Sequence, residues 1–208
     1  MISKRNQVQR VIKDNNSYIF KTFAQADDFM NEVELLKILK EDGANVPNIL
    51  EEGHNFLFLE DLGDETLLNG FESMEKHNRT EYKDLILKLS KWLEIFYSIT
   101  FSRYGKKLIL NDVNFRNFIL FENEIYGIDF EQSCTGAIET DAGKLSAYAL
   151  TYEPSITQWK IDFRNELIDI LSEELNIDRQ QILNEEKKEI KSIENRRKIS
   201  LDNYWNLL

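Results

Sequence analysis

The sequence predicts an α+β chain: a small antiparallel sheet carrying one helix, then a mainly helical part into which a single β-hairpin is set. Three observations predict it. Runs of β-formers cluster before Leu62 around one helical stretch. Long helical periodicities fill most of the chain beyond Glu81. Two apolar strands, Phe118 to Phe121 and Ile125 to Ile128, stand alone among those helices, joined by the turn residues Glu122-Asn123-Glu124.

In order, Asn6 to Val11 and the strand Tyr18 to Phe23 read as a hairpin turning at Asp14-Asn15-Asn16, with Lys21 embedded among β-formers. A helix follows from about Asp27 to Glu41, with Asp27-Asp28 as its acidic cap and Gly43 as its stop. Residues three and four apart share a helix face, so Glu32 neighbours Phe29, Leu35 and Leu36 on the apolar side. Glu34 instead neighbours Lys37, which offers it a surface ion pair. A carboxylate on the inward stripe needs a buried cation, and Lys21 is the obvious one. Asn55 to Leu62 is the next strand. Gly63 to Asn78 reads as loop or short helix. Glu81 to Ser102 is a long helix whose stripe, Tyr82, Leu85, Ile86, Leu89, Trp92, Leu93, Phe96 and Tyr97, is core. Pro154 marks a boundary before two more amphipathic helices, Trp159 to Leu175 and Asp178 to Ile193, the second capped by Asp178.

Asp112 and Asn117 stand in a D-x-x-x-x-N spacing just before the isolated hairpin, and Asp129-Phe130-Glu131 follows it directly. Turn-capping explains Asn123, but not Asp112, Asn114 and Asn117 crowding one loop, nor Asp129 directly after Tyr-Gly-Ile. Phosphoryl transfer uses one carboxylate to orient the attacking hydroxyl, and an amide with a second carboxylate to hold magnesium against the phosphates. A loop and a hairpin bring three such side chains to one end of a small sheet.

On these residues the chain, over roughly residues 5 to 152, resembles the protein-kinase-like superfamily in its aminoglycoside-phosphotransferase, lipopolysaccharide-kinase and RIO-like branches. The resemblance implies a bilobed fold with an N-lobe over 1–62 and a C-lobe over 63–208. It implies ATP and Mg2+ as cofactors and phosphoryl transfer to a hydroxyl acceptor of unknown identity. Residue by residue, it makes Lys21 the phosphate-binding lysine and Glu32 its helix partner. Backbone groups near Glu60, Asp61 and Leu62 become the adenine-binding hinge. Asp112 becomes the catalytic aspartate, and Asn117 and Asp129 the metal ligands. Asp141 becomes the brace of the catalytic loop. Three departures accompany it: no glycine precedes Lys21, Leu110-Asn111 stands where the family has His-Gly or His-Arg, and Glu131 stands where protein kinases have glycine. Glu131 is either a further metal ligand or a solvated acid. Two alternatives stay open, a kinase-like ATPase or regulatory module such as that of the threonylcarbamoyl-tRNA machinery, and a pseudokinase.

Composition bounds the rest. At 208 residues the chain can hold a minimal two-lobed unit or one ordinary domain, and it has surface enough to bury a real core. One cysteine, Cys134, and no signal-like N-terminus fit a cytoplasmic setting. No apolar run reaches membrane-spanning length. A net charge of −11 disfavours general nucleic-acid binding, and the local basic stretch Asn195 to Lys198 reads as a solvated helix end. His54 and His77 lack metal-ligand partners at suitable spacing.

Overall fold

The computed structural model describes residues 6–205; residues 1–5 and 206–208 of the two expected lobes lie outside them. β1 (Gln7–Lys13) and β2 (Asn16–Thr22) form a hairpin whose turn residues Asp14 and Asn15 both have positive φ, 51° and 59°. That is the two-residue turn whose twist matches the strands, and Asp and Asn tolerate it. β3 (Ile49–Gly53) and β4 (Phe56–Glu60) complete a four-stranded antiparallel sheet in the order β1-β2-β4-β3. α1 (Ala26–Glu41) lies between, burying Glu32, Leu35, Leu36 and Leu39. Its N-cap is Gln25, without a side-chain cap, and Asp27 and Asp28 sit in the first turn instead. There they act on the helix dipole rather than on a free N–H, which corrects the expected acidic cap.

The second lobe begins with α2 (Leu67–Lys76), closed by a capping box between Thr66 and Asn69. The long α3 (Lys83–Tyr104) ends at Gly105 in the left-handed conformation that glycine adopts without strain. β5 (Leu108–Ile109) pairs with β8 (Cys134–Thr135), two strands too short for any periodicity to reveal. Between them lie a 3-10 turn (Phe115–Asn117) and the hairpin of β6 (Phe118–Phe121) and β7 (Glu124–Gly127). α4 (Ile138–Thr151), α5 (Gln158–Glu174) and α6 (Arg179–Arg197) pack together, and a short α7 (Asp202–Trp205) follows. The Asp178 side chain caps α6 by accepting from Gln180 N and Gln181 N.

One continuous core runs through both lobes, from Leu36 and Leu57 to Trp92, Phe118, Leu145 and Phe163. A smaller one under α7 joins Leu150, Ile190, Ile193 and Tyr204. At the α1–α3 contact Tyr104 donates to Glu34 Oε1 at 2.7 Å and Arg103 grips Asp42. Lys37 pairs with Glu52 of β3, not with Glu34. Sheet neighbours, invisible to helical spacing, outcompete the i+3 partner. Among the described residues no helix is long and apolar enough to cross a membrane.

Candidate active site

Lys21 stands mid-strand in β2, opposite Val8 of β1 and Leu57 of β4, on the sheet face that α1 covers. Its Nζ lies 3.3 Å from Glu32 Oε1, 2.7 Å from Asp129 Oδ1 and 2.9 Å from Glu131 Oε2. The Lys21–Glu32 pairing expected from the helical face is present. Glu32 is 1% exposed, and an uncompensated buried carboxylate would cost several kcal/mol. Its second oxygen accepts from Phe130 N at 2.5 Å. Burial pushes the Glu32 carboxyl up, to about 7, against the attraction of Lys21. Burial alone would push the Lys21 ammonium down. The charges of Glu32, Asp129 and Glu131 outweigh it and hold the ammonium well above the ordinary lysine range.

Glu131 is neither solvated nor free, because it pairs with Lys21 and accepts from Asn6 Nδ2 at 2.6 Å. Asn31, beside Glu32 on α1, donates to the carbonyls of Phe130, Glu131 and Ser133 at 3.3, 2.9 and 3.0 Å. That clamp fastens the segment after β7 to α1. No sequence signal marks Asn31, since its partners lie about a hundred residues away.

Asp129 has φ +69°, a conformation that costs a non-glycine residue about 1–3 kcal/mol. The segment is anchored on both sides. A Cβ at Gly127 would lie 2.1 Å from the Trp92 ring, so β7 passes against that indole only as glycine. Trp92 Nε1 and Gly127 N both donate to Asn45 O, at 2.9 and 3.0 Å. On the other side Phe130 is fully buried and stacks on Phe96 and Trp92.

Asp112 is exposed at the cleft floor. Its loop is held from below by Asp141, which is fully buried and accepts from Leu110 N at 2.7 Å, Asn111 N at 3.0 Å and Tyr97 Oη at 3.0 Å. Burial pushes the Asp141 carboxyl up to about 6 despite these bonds. Lys144 Nζ grips Asn111 through its carbonyl and Oδ1, at 2.5 and 2.8 Å. Asn111 has φ +63°, which asparagine tolerates better than most residues. The neighbouring Leu110 is buried in the core. Asn117 Nδ2 donates to Asp112 O at 2.7 Å, and Asn117 O accepts from Ile128 N at 2.9 Å, next to Asp129. Unlike Asp112 and Asp129, Asn117 does not line the cleft itself.

That cleft, of about 670 Å³, has Lys21, Asp129 and Glu131 on one side and Asp112, Tyr148, Glu189 and Arg196 on the other. The basic stretch Asn195 to Lys198 is exposed at the end of α6, as expected, and within it Arg196 pairs with Glu189 at 2.7 Å and borders the cleft, because α6 folds back over α4. Above Lys21 a slot of about 180 Å³ runs between Val8, Ile19, Leu59, Leu62, Ile119 and Ile128. Glu60 borders it, its carboxylate accepting from Asn48 N and Nδ2. The Asp61 side chain turns away and ties down the β1–β2 hairpin by accepting from Arg10, Ser17 and Gly63 N. Cys134 is exposed, and His77 Nδ1 bonds Ser73 O.

No protein-family model matches the sequence, and no curated protein matches it. By structure 1107 solved chains match, so the architecture is a widespread one. Among them is amicoumacin kinase hAmiN in complex with AMP-PNP, Ca2+ and Ami, with a TM-score of 0.63 and 13% identity over 85% of this chain and 71% of that one. The four-stranded sheet with its one helix and the mainly helical second part are the shared features, as the sequence predicted. The chain has the protein-kinase-like fold.

Proposed function

We propose that the chain is an ATP- and Mg2+-dependent phosphotransferase that passes the γ-phosphoryl group to a hydroxyl acceptor. One observation carries the reading: Lys21, Asp129 and Asp112 line a single cleft. Adenine enters the apolar slot at the hinge, Glu60 to Leu62, and Lys21, steadied by Glu32, meets the phosphates. Asp112 aligns the acceptor hydroxyl and takes up its proton. Oxygen donors of Asp129 and Asn117 fit a hard divalent cation. The Asn117 amide nitrogen is engaged by Asp112 O, so its oxygen is the atom left to coordinate. The charge balance agrees, with three carboxylates facing one lysine. The bound cation would neutralise charge on the phosphates. A neighbour of the same fold was solved with an ATP analogue and a divalent ion.

A second reading, a nucleotide-binding module without an acceptor, draws on the engagement of Lys21 by Asp129 and Glu131 in this structure. The test is thermal stabilisation by ATP with and without Mg2+, followed by ADP release with and without added acceptors. Asp129→Ala should fold and lose the metal-dependent part of the stabilisation. Undiminished metal dependence in that variant would overturn the assignment.

A further inference from the structure

Eight arginines lie among the described residues, and six of them are held in salt bridges. The other two, Arg116 and Arg197, line the same cavity, of about 270 Å³. They come from different parts of the chain. Arg116 sits on the 3-10 turn between Asp112 and Asn117. Arg197 ends α6, where its Nη1 donates to Thr151 O at 2.8 Å and is fixed against the end of α4. Tyr152, 8% exposed, lines this cavity as well, and its hydroxyl has no hydrogen-bond partner among the described residues. Its ring is held in place under Lys160 Nζ, 4.1 Å from the centroid. The hydroxyl is closed off from the cavity, so Tyr152 serves as part of its wall. Tyr148 borders both this cavity and the main cleft, so a molecule seated here extends past Tyr148 towards Asp112.

We propose that this cavity is the acceptor subsite, and that it takes a polyhydroxylated molecule bearing an anionic group, a carboxylate or a phosphomonoester. The link to Asp112 rests on the proposed phosphotransferase function. A guanidinium presents a planar fork of donors that matches the oxygens of either anion, and here two arginines line one cavity, neither in a salt bridge with a described carboxylate. The cavity also carries Glu72 and Glu153, which accept from hydroxyl groups and oppose a bare inorganic anion. In the transfer, an acceptor hydroxyl oxygen bonds to the γ-phosphorus and the bond to the β–γ bridging oxygen breaks. ADP leaves, and the hydroxyl proton passes to Asp112.

Binding of gluconate, glucose 6-phosphate, glucose and glucosamine to the full chain, measured by calorimetry, tests the subsite without requiring turnover. At least one of the two anions should bind about tenfold or more tightly than glucose and glucosamine, and comparing gluconate with glucose 6-phosphate identifies the anionic group. Arg116→Ala and Arg197→Ala should each weaken that binding about tenfold, the scale of one charge-assisted contact. Arg179→Ala, at the far end of α6, should not. Arg197→Lys keeps a donor for Thr151 and serves if the alanine variant fails to fold. Anions that bind no better than glucose or glucosamine, or arginine variants that bind as wild type, would overturn the subsite. AMP-PNP with Mg2+ titrated into the same samples separates the two claims. Arginine-dependent anion binding without nucleotide binding sinks the phosphotransferase reading alone, and nucleotide binding without anion binding sinks the subsite alone.

Discussion

At one end of the cleft Lys21 is held by three carboxylates, Glu32 is bonded to Phe130 N, and Asn31 clamps the carbonyls beyond. At the other end Arg116 and Arg197 line a cavity with Glu72 and Glu153 and pair with none of the described carboxylates. The first end is organised by the protein's own bonds, across elements about a hundred residues apart. The second leaves its charges for something else to satisfy. Groups required to hold one geometry for any acceptor are cross-linked internally, because a displacement of an ångström costs rate. Groups that select one acceptor gain affinity by pairing only when it arrives.

The strongest way to break that contrast is at the junction of the two ends. Asp112→Asn should cut ADP release by about a hundredfold or more, as loss of a positioned acid–base group does, while ATP affinity stays nearly constant. A variant that loses ATP binding would move Asp112 into the cross-linked end and undo the division.

The pH dependence of stability sharpens the picture of the loop beneath. A carboxyl raised on folding, as Asp141 is from 3.8 to about 6, contributes most below its unfolded value. That contribution is lost as pH rises through its folded value. Wild type should therefore lose stability relative to Asp141→Asn between about pH 4 and pH 6, by about 3 kcal/mol. Urea unfolding of both proteins across that range measures it. A pH-independent difference would mean that Asp141 holds the loop as a fully ionised group.

Glu32→Gln should lower turnover by about tenfold, since it weakens a buried ion pair. Glu34→Gln, whose exposed carboxylate only accepts from Tyr104, should change it little. Steady-state kinetics of the pair decides, and equal losses would erase the distinction between the inward and outward faces of α1. The smallest effect belongs to Asp61→Asn. It loosens the tie from Arg10 and Ser17 to the hinge and should raise the ATP dissociation constant only about two- to threefold, in line with a partly exposed ion pair. Isothermal titration with AMP-PNP measures it.

The helices, the hairpin and the Asp112–Asn117–Asp129 spacing were legible because each is a local pattern: a period, a turn or a fixed offset. Glu32 was legible for the same reason, since helical spacing alone puts it on the apolar stripe. Asn31 and Lys144 were not, because their partners are backbone carbonyls distant in sequence. Nor were β5 and β8, whose two residues each carry no periodicity.

By itself the sequence determined which residue types could do chemistry and on which elements they ride, because side-chain periodicity follows from backbone geometry. Only the tertiary structure decided what each charge meets. It turned Glu131 onto Lys21, sent Lys37 to Glu52, folded Arg196 over the cleft and left Arg116 and Arg197 facing one cavity. The physical reason is range. Spacing specifies neighbours within a turn of helix or a hairpin, whereas an ion pair forms between whichever groups the packing of distant elements brings within a few ångströms.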